Sequence, residues 1–178
     1  SVDLRTIQFL YPNFPRLRGT ISGTATLDSS WLDVRFANAD LRFHDADAPV
    51  SRLLGSGRVT YGDPYMTYDA SLFADSLSLT ALRRAYPKLP VIGAYAGTIR
   101  TQGTLNDLFL DASLHGPGGT FTFNGHVDAD PPSIGAHGSG RLVAVDPSLV
   151  LPADSVPRGS ITGNYDVALT GDSLADLD

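Results

Sequence analysis

Leu17-Arg18-Gly19-Thr20-Ile21-Ser22-Gly23-Thr24-Ala25-Thr26-Leu27 alternates without a break: the odd positions are aliphatic or glycine, and the even positions are Arg, Thr or Ser. Successive side chains of a strand point to opposite faces, so this stretch predicts a strand with one dry face and one wet face. The same period recurs on both sides of it. Leu32, Val34 and Phe36 alternate with Asp33 and Arg35, and Leu41 and Phe43 with Asp40, Arg42 and His44, which predicts two strands with a turn near Asn38. After the turn signal Gly62-Asp63-Pro64, Met66, Tyr68, Ala70, Leu72 and Ala74 alternate with Tyr65, Thr67, Asp69, Ser71 and Phe73. Further strands are expected over 95–105, 108–114, 120–127, 134–145 and 161–169, separated by Asn106-Asp107, Gly116-Pro117-Gly118-Gly119, Asp130-Pro131-Pro132 and Pro157. One short helix is expected over 80–86, with Thr80 as its cap and Pro87 as its stop. The fold class is therefore all-β, with at most one or two short helices.

Self-comparison sharpens this. Gly19-Thr20-Ile21, Gly97-Thr98-Ile99 and Gly159-Ser160-Ile161 are variants of one phrase, and each follows a proline-containing corner. Those corners are Tyr11-Pro12-Asn13-Phe14-Pro15, Tyr86-Pro87-Lys88-Leu89-Pro90, and Asp146-Pro147 through Pro157. The intervals are longer and less regular than those of a short solenoid repeat. The expected unit is several antiparallel strands followed by a corner, with approximate units 1–86, 87–146 and 147–178, the last incomplete. Gly171-Asp172-Ser173-Leu174 reads as the opening of a next unit, so the chain is expected to be one segment of a longer repeat array.

Composition narrows the function classes. A chain of 178 residues is long enough to bury about 70% of its unfolded surface. It has no cysteine, which removes disulfides and thiolate metal sites. A net charge of -6 and a single lysine, Lys88, leave no basic stripe for a phosphate backbone, so nucleic acid is not an expected partner. No apolar run reaches the roughly 18 residues that span a bilayer, and any anchor or export signal is expected outside this stretch.

Candidate chemistry is sparse. His115-Gly116-Pro117-Gly118-Gly119 has the glycine content of an esterase oxyanion loop, but no Gly-x-Ser-x-Gly turn accompanies it, and a plain loop is expected. Asp40, His44, Asp45 and Asp47, or Asp128 with Asp130, offer oxygen ligands without calcium-loop spacing, and solvated turns are expected. His44, His115, His126 and His137 show no metal-site spacing. The chain is thus expected to be non-enzymatic, with no catalytic residue, no metal and no cofactor. The glycines of the repeated phrase sit among Ile21, Ile99 and Ile161, where glycine weakens a strand. They mark either sharp coiling of the sheet or close approach of a neighbouring backbone.

The stretch Gly93-Ala94-Tyr95-Ala96-Gly97-Thr98-Ile99-Arg100-Thr101-Gln102-Gly103-Thr104-Leu105, with Leu77, Leu79 and Pro87 before it and 108–114 after it, carries a resemblance. It resembles the repeating pattern of the AsmA-like and TamB-like (translocation and assembly module) envelope proteins of bacteria with two membranes. Through its three copies the resemblance covers most of the chain, although its pattern consists of glycines and alternating aliphatics rather than reactive residues. It implies a strongly curved antiparallel sheet folded into a taco or groove. It also implies a periplasmic location, an inner-membrane anchor on the full-length protein, and a dry groove for phospholipid acyl chains on the way to the outer membrane. Outer-membrane assembly proteins are the second partner class it implies.

The residues expected to line such a groove are Ile21, Ala25, Leu27, Met66, Tyr68, Leu72, Ile99, Leu105, Leu110, Ile161, Val167 and Leu169. Alternation alone does not separate an open lining from the filled core of a closed sandwich. The alternative function is accordingly a structural or adhesive β-sandwich module of a secreted or surface protein. A carbohydrate-acting enzyme with Trp31, Tyr61 and Tyr65 as its platform ranks last, because nothing picks out a carboxylate pair.

Overall fold

A computed structural model describes residues 2–4, 17, 19–30, 32–45, 47–62, 66–83, 91–129, 135–151 and 156–169. The corners at 11–15 and 86–90, Trp31, Asp63-Pro64-Tyr65, Asp130 and the stretch 171–174 lie outside those residues. The elements run β1 (Val2–Asp3), β2 (Thr20–Ser30), β3 (Asp33–His44), β4 (Ser51–Tyr61), β5 (Met66–Ser78), α1 (Leu79–Leu82), β6 (Ala94–Thr104), β7 (Asp107–Gly116), β8 (Gly119–Asp128), β9 (Gly135–Val145), α2 (Pro147–Val150) and β10 (Ile161–Leu169). All ten strands belong to one sheet in strict sequence order, every pairing is antiparallel, and β1 and β10 are its two edges. The protein is therefore all-β, and among the described residues its strands form one curved sheet that does not close.

Two expectations about the elements need correction. The two strands predicted around Asn38 are the single strand β3: Asn38 sits at φ 51 in a bulge, where the register to β2 and β4 slips by a residue. The slip carries the apolar positions from even (Val34, Phe36) to odd (Ala39, Leu41, Phe43) without changing face. A run whose parity changes reads as two strands with a turn, although asparagine tolerates positive φ inside a strand as readily as in a turn. The second correction concerns the helices. Helix α1 is capped by Ser78, whose side chain accepts from the Ala81 N–H at 3.2 Å, and Thr80 lies within it. A further helix, α2, occupies the start of the corner expected from Asp146-Pro147 to Pro157. Its signals stand in the sequence, since Asp146 caps by accepting from the Ser148 N–H at 3.0 Å and Pro147 occupies the first turn.

The repeat has a structural counterpart. Four strands from β2 to β5 lead into α1, and four from β6 to β9 lead into α2. The Leu4 N–H bonds the Gly19 carbonyl at 3.1 Å, and the Leu79 N–H bonds the Gly93 carbonyl at 2.9 Å, so the chain closes these two corners in the same way.

The best-buried side chains collect at this corner end of the sheet. Tyr95, 2% exposed, packs with Leu79 and Leu114, and Leu77, Leu82, Val91, Ile99 and Phe121 surround them. The Tyr95 and Phe121 rings meet edge to face at 5.0 Å. Helix α2 joins this cluster: the Ile92 N–H donates to the Val150 carbonyl at 2.8 Å, and Val150 lies directly over Gly118.

Glycine serves close approach within the strands. Gly97 adopts φ +146, and a Cβ there would sit on the Ser113 carbonyl oxygen of β7. Gly163 in β10 has ordinary φ and nothing within 4 Å. Gly97→Ala is therefore expected to cost about 1–3 kcal/mol, while Gly163→Ala stays within about 0.5 kcal/mol of the parent. Urea unfolding of the two variants side by side, followed by circular dichroism, checks the contrast.

Candidate functional site: one apolar face of the sheet

Directly opposed residues in a ladder share a face, so the register shows what each face carries. One row runs Gly23, Leu41, Leu53, Ala74, Gly97, Leu114, Phe121, Leu142 and Gly163, from β2 to β10, and holds no polar residue. The adjacent row runs Ala39, Gly55, Leu72, Ile99, Ala112, Phe123, Gly140 and Tyr165. Rows on both sides continue the band, and no charged side chain interrupts it. Large residues repeatedly oppose glycines: Phe36 covers Gly57, Tyr95 covers Gly116, and Tyr165 crosses Gly140 to donate its hydroxyl to the Thr122 carbonyl at 2.7 Å. The ring thereby fills the volume that glycine leaves. Burial raises the pKa of both Tyr95 and Tyr165.

Most of the expected lining residues lie on this face. Ile21 opposes Phe43, and Leu27 opposes Phe36 and is 65% exposed. Met66 opposes Tyr61, Tyr68 opposes Val59 and Gly103, and Leu72 lies between Gly55 and Ile99. Leu110 lies between Thr101 and Gly125. Ile161, Val167 and Leu169 oppose Val145, Gly138 and Ala136. Ala25 occupies the same side of β2, at the place where β3 bulges. Ile99 is less free than its neighbours, because it also packs on the Tyr95 cluster. Leu105 departs from expectation: it lies in the β6–β7 turn, where its carbonyl accepts from the Ala129 N–H at 2.7 Å. The Asn-Asp turn shortens the strand by that one residue.

The reading from alternation missed β4 and the residues it brings to the band. Leu53, Gly55, Gly57, Val59 and Tyr61 keep period two, but the adjacent Leu54 and the two glycines mask it. Phe121, Phe123 and Leu142 lie within expected strands and join the band beside the expected lining residues.

The opposite face is polar and ion-paired. Arg52 clasps Asp40 through Nε at 2.9 Å and Nη2 at 2.8 Å and reaches Asp75 at 3.3 Å, and Arg58 clasps Asp33 at 2.6 and 2.7 Å. These bonds from Arg52 and Arg58 hold the Asp40 and Asp33 carboxyls below the usual aspartate range. The suggested calcium group is consequently dispersed: Arg52 occupies Asp40, while buried Asp45 accepts the Asp47 N–H at 3.1 Å within the β3–β4 connection. His126 and His137, for which no pairing was expected, stack at 5.1 Å because β8–β9 register opposes them, and His126 Nδ1 lies 2.6 Å from Asp107 Oδ1. No group of three or more metal-ligating side chains assembles among the described residues. Within His115 through Gly119, Pro117-Gly118 form the β7–β8 turn between the paired Gly116 and Gly119, with Gly118 packed beneath Val150 and Tyr95. Of the aromatic platform, Tyr61 belongs to the apolar band, opposite Met66. Phe73 and Val143, 45% and 41% exposed, and Leu54 and Phe109 are apolar side chains on this otherwise polar face.

The lowered pKa of Asp40 sets a pH dependence. Stabilisation from the clasp is fully present above the unfolded value near 3.8 and is lost as pH falls through the folded value. Asp40→Asn is expected to lower Tm at neutral pH, with the difference from the parent shrinking toward zero in strong acid; thermal melts across that range check it. No helix of the described residues is long and apolar enough to cross a membrane. Compared with protein-family models, curated proteins and solved structures, the chain finds no match in any of the three.

Proposed function

We propose that this chain is a non-enzymatic segment of a bacterial cell-envelope protein whose apolar sheet face forms a groove for phospholipid acyl chains between the inner and outer membranes. The observation that carries the reading is the uncharged apolar band that crosses the sheet from β2 to β10, while all ten described strands belong to that one sheet. A sandwich module would bury this band beneath a second sheet, and the described strands supply none. An acyl chain laid along the band gains about 0.8 kcal/mol for each CH2 removed from water. The headgroup stays in solvent, and the ion-paired polar face keeps the outer surface wet. The resemblance to AsmA-like and TamB-like proteins supports the periplasmic setting and the transfer of lipid, or the assembly of outer-membrane proteins, as the process served.

Organic extraction of the purified chain followed by lipid mass spectrometry tests this. Near-stoichiometric phospholipid is expected from the parent. It falls several-fold in a Leu27→Asp, Leu110→Asp variant and persists in Phe73→Asp, whose substitution lies on the polar face. No lipid from the folded parent, or equal lipid from both variants, overturns the reading.

A further inference from the structure

Asp107, His126 and His137 are far apart in the chain, yet strand pairing brings them together on the polar face, where β7 begins, β8 ends and β9 begins. His126 directly opposes His137 across the β8–β9 ladder, and the two imidazole rings stack at 5.1 Å with 6° between their planes. Asp107 Oδ1 lies 2.6 Å from His126 Nδ1, and the Phe109 ring meets the same imidazole edge to face at 5.6 Å. The rings border a hollow of about 180 Å³, which Asp107 and Asp128 also line.

These are the parts of a small nitrogen-ligand metal site. A carboxylate oxygen at 2.6 Å holds the ring proton on His126 Nδ1 and leaves the Nε2 lone pair available, as outer carboxylates do behind metal-binding imidazoles. Phe109 limits rotation of that ring, so the lone pair keeps its direction. Two Zn–N bonds of about 2.0–2.1 Å set their nitrogens about 3.3 Å apart. Directly opposed residues have Cβ atoms about 4.5–5.5 Å apart, so a tilt of the stacked rings toward each other reaches that separation while the ladder stays as it is. Imidazole nitrogen suits Cu²⁺, Ni²⁺ and Zn²⁺, with Cu²⁺ held tightest, whereas Ca²⁺ and Mg²⁺ take oxygen ligands. Two histidines fall short of a centre with three protein ligands, which does not assemble among the described residues, and water fills the remaining positions.

We propose that His126 and His137 bind one divalent transition-metal ion between them, with Asp107 as the positioning residue behind His126. The ion pins β8 to β9 on the polar face, so the inference is independent of what the apolar face binds.

Isothermal titration of ZnCl2 into the untagged, metal-free chain tests it, together with electron paramagnetic resonance of the chain carrying one equivalent of Cu²⁺. One ion per chain is expected, and the Cu²⁺ spectrum is expected to show splitting from two imidazole nitrogens. His126→Asn or His137→Asn is expected to lower Zn²⁺ affinity by at least about tenfold, because the second contact is then lost, while His44→Asn and His115→Asn leave it unchanged. Asp107→Asn weakens binding by about tenfold, and Asp107→Glu recovers it. Nitrogen NMR of the imidazoles is expected to show the Nδ1–H form at His126 in the parent and a mixture of both ring forms in Asp107→Asn. The side chains of His126 and Asp107 are 42% and 69% exposed and His137 is exposed, so circular dichroism is expected to show the fold intact in every variant. A folded parent that binds no ion overturns the proposal, as does a parent Cu²⁺ spectrum with a single nitrogen, or full affinity retained without either histidine. Unchanged affinity and ring form in Asp107→Asn overturn the role given to Asp107.

Discussion

A sheet that stands alone can keep only one face dry, so every strand must deliver its apolar side chains to the same side as its neighbours. Strict alternation does this within a strand, but the sheet also bends, and bending disturbs register. Bulges reconcile the two demands. At Asn38 in β3, between Ala74 and Leu77 in β5, and at Ala144 in β9, the register slips where the apolar parity changes. Without the slip at Asn38, Val34 and Phe36 would face water and Asp33 and Arg35 would face the apolar band. The glycines follow from the same demand. They admit the neighbouring carbonyl at Gly23 and Gly97, and they make room for an aromatic ring at Gly57, Gly116 and Gly140.

Much of this was legible in the sequence because period two is a strong local signal. Strand β10 spans the residues its alternation marks, and β6 to β9 differ from expectation only near their ends. The failures have separate physical causes. Strand β3 changes parity at a bulge, which a local reading takes for a turn. Strand β4 carries Leu53 beside Leu54 and spends two of its band positions on glycine, so its pattern is faint although its pairing is complete. Helix α2 is too short for helical periodicity, and only its Asp-Pro start betrays it. The face of the sheet was legible residue by residue. Which residues oppose one another was not, since opposition depends on register, and this is how the stacked His126 and His137 escaped notice.

The two faces divide the work of the fold unequally. The Tyr95 cluster and the two helices anchor the corner end, where the backbone bonds of Leu79, Ile92 and Gly93 tie the connections to the sheet. Away from that end the band is only half-buried, and the arginine clasps stand behind it across β3 to β5. A groove reading and an ordinary core would ask different things of this region. A core requires Leu27, Leu110 and Leu169 to be covered by the chain itself. A groove leaves them to a guest.

Strand order has a consequence for how the molecule comes into being. Among the described residues, each inner strand pairs with the strands that precede and follow it in the chain, and no pairing reaches over an intervening one. Loop closures are then short, and the entropy spent before each new ladder forms is small. The sheet can grow from either side by adding one hairpin at a time onto an existing edge, as a zipper closes. A chain emerging N-terminus first into a new compartment would fold behind its point of exit, without waiting for its far end to arrive.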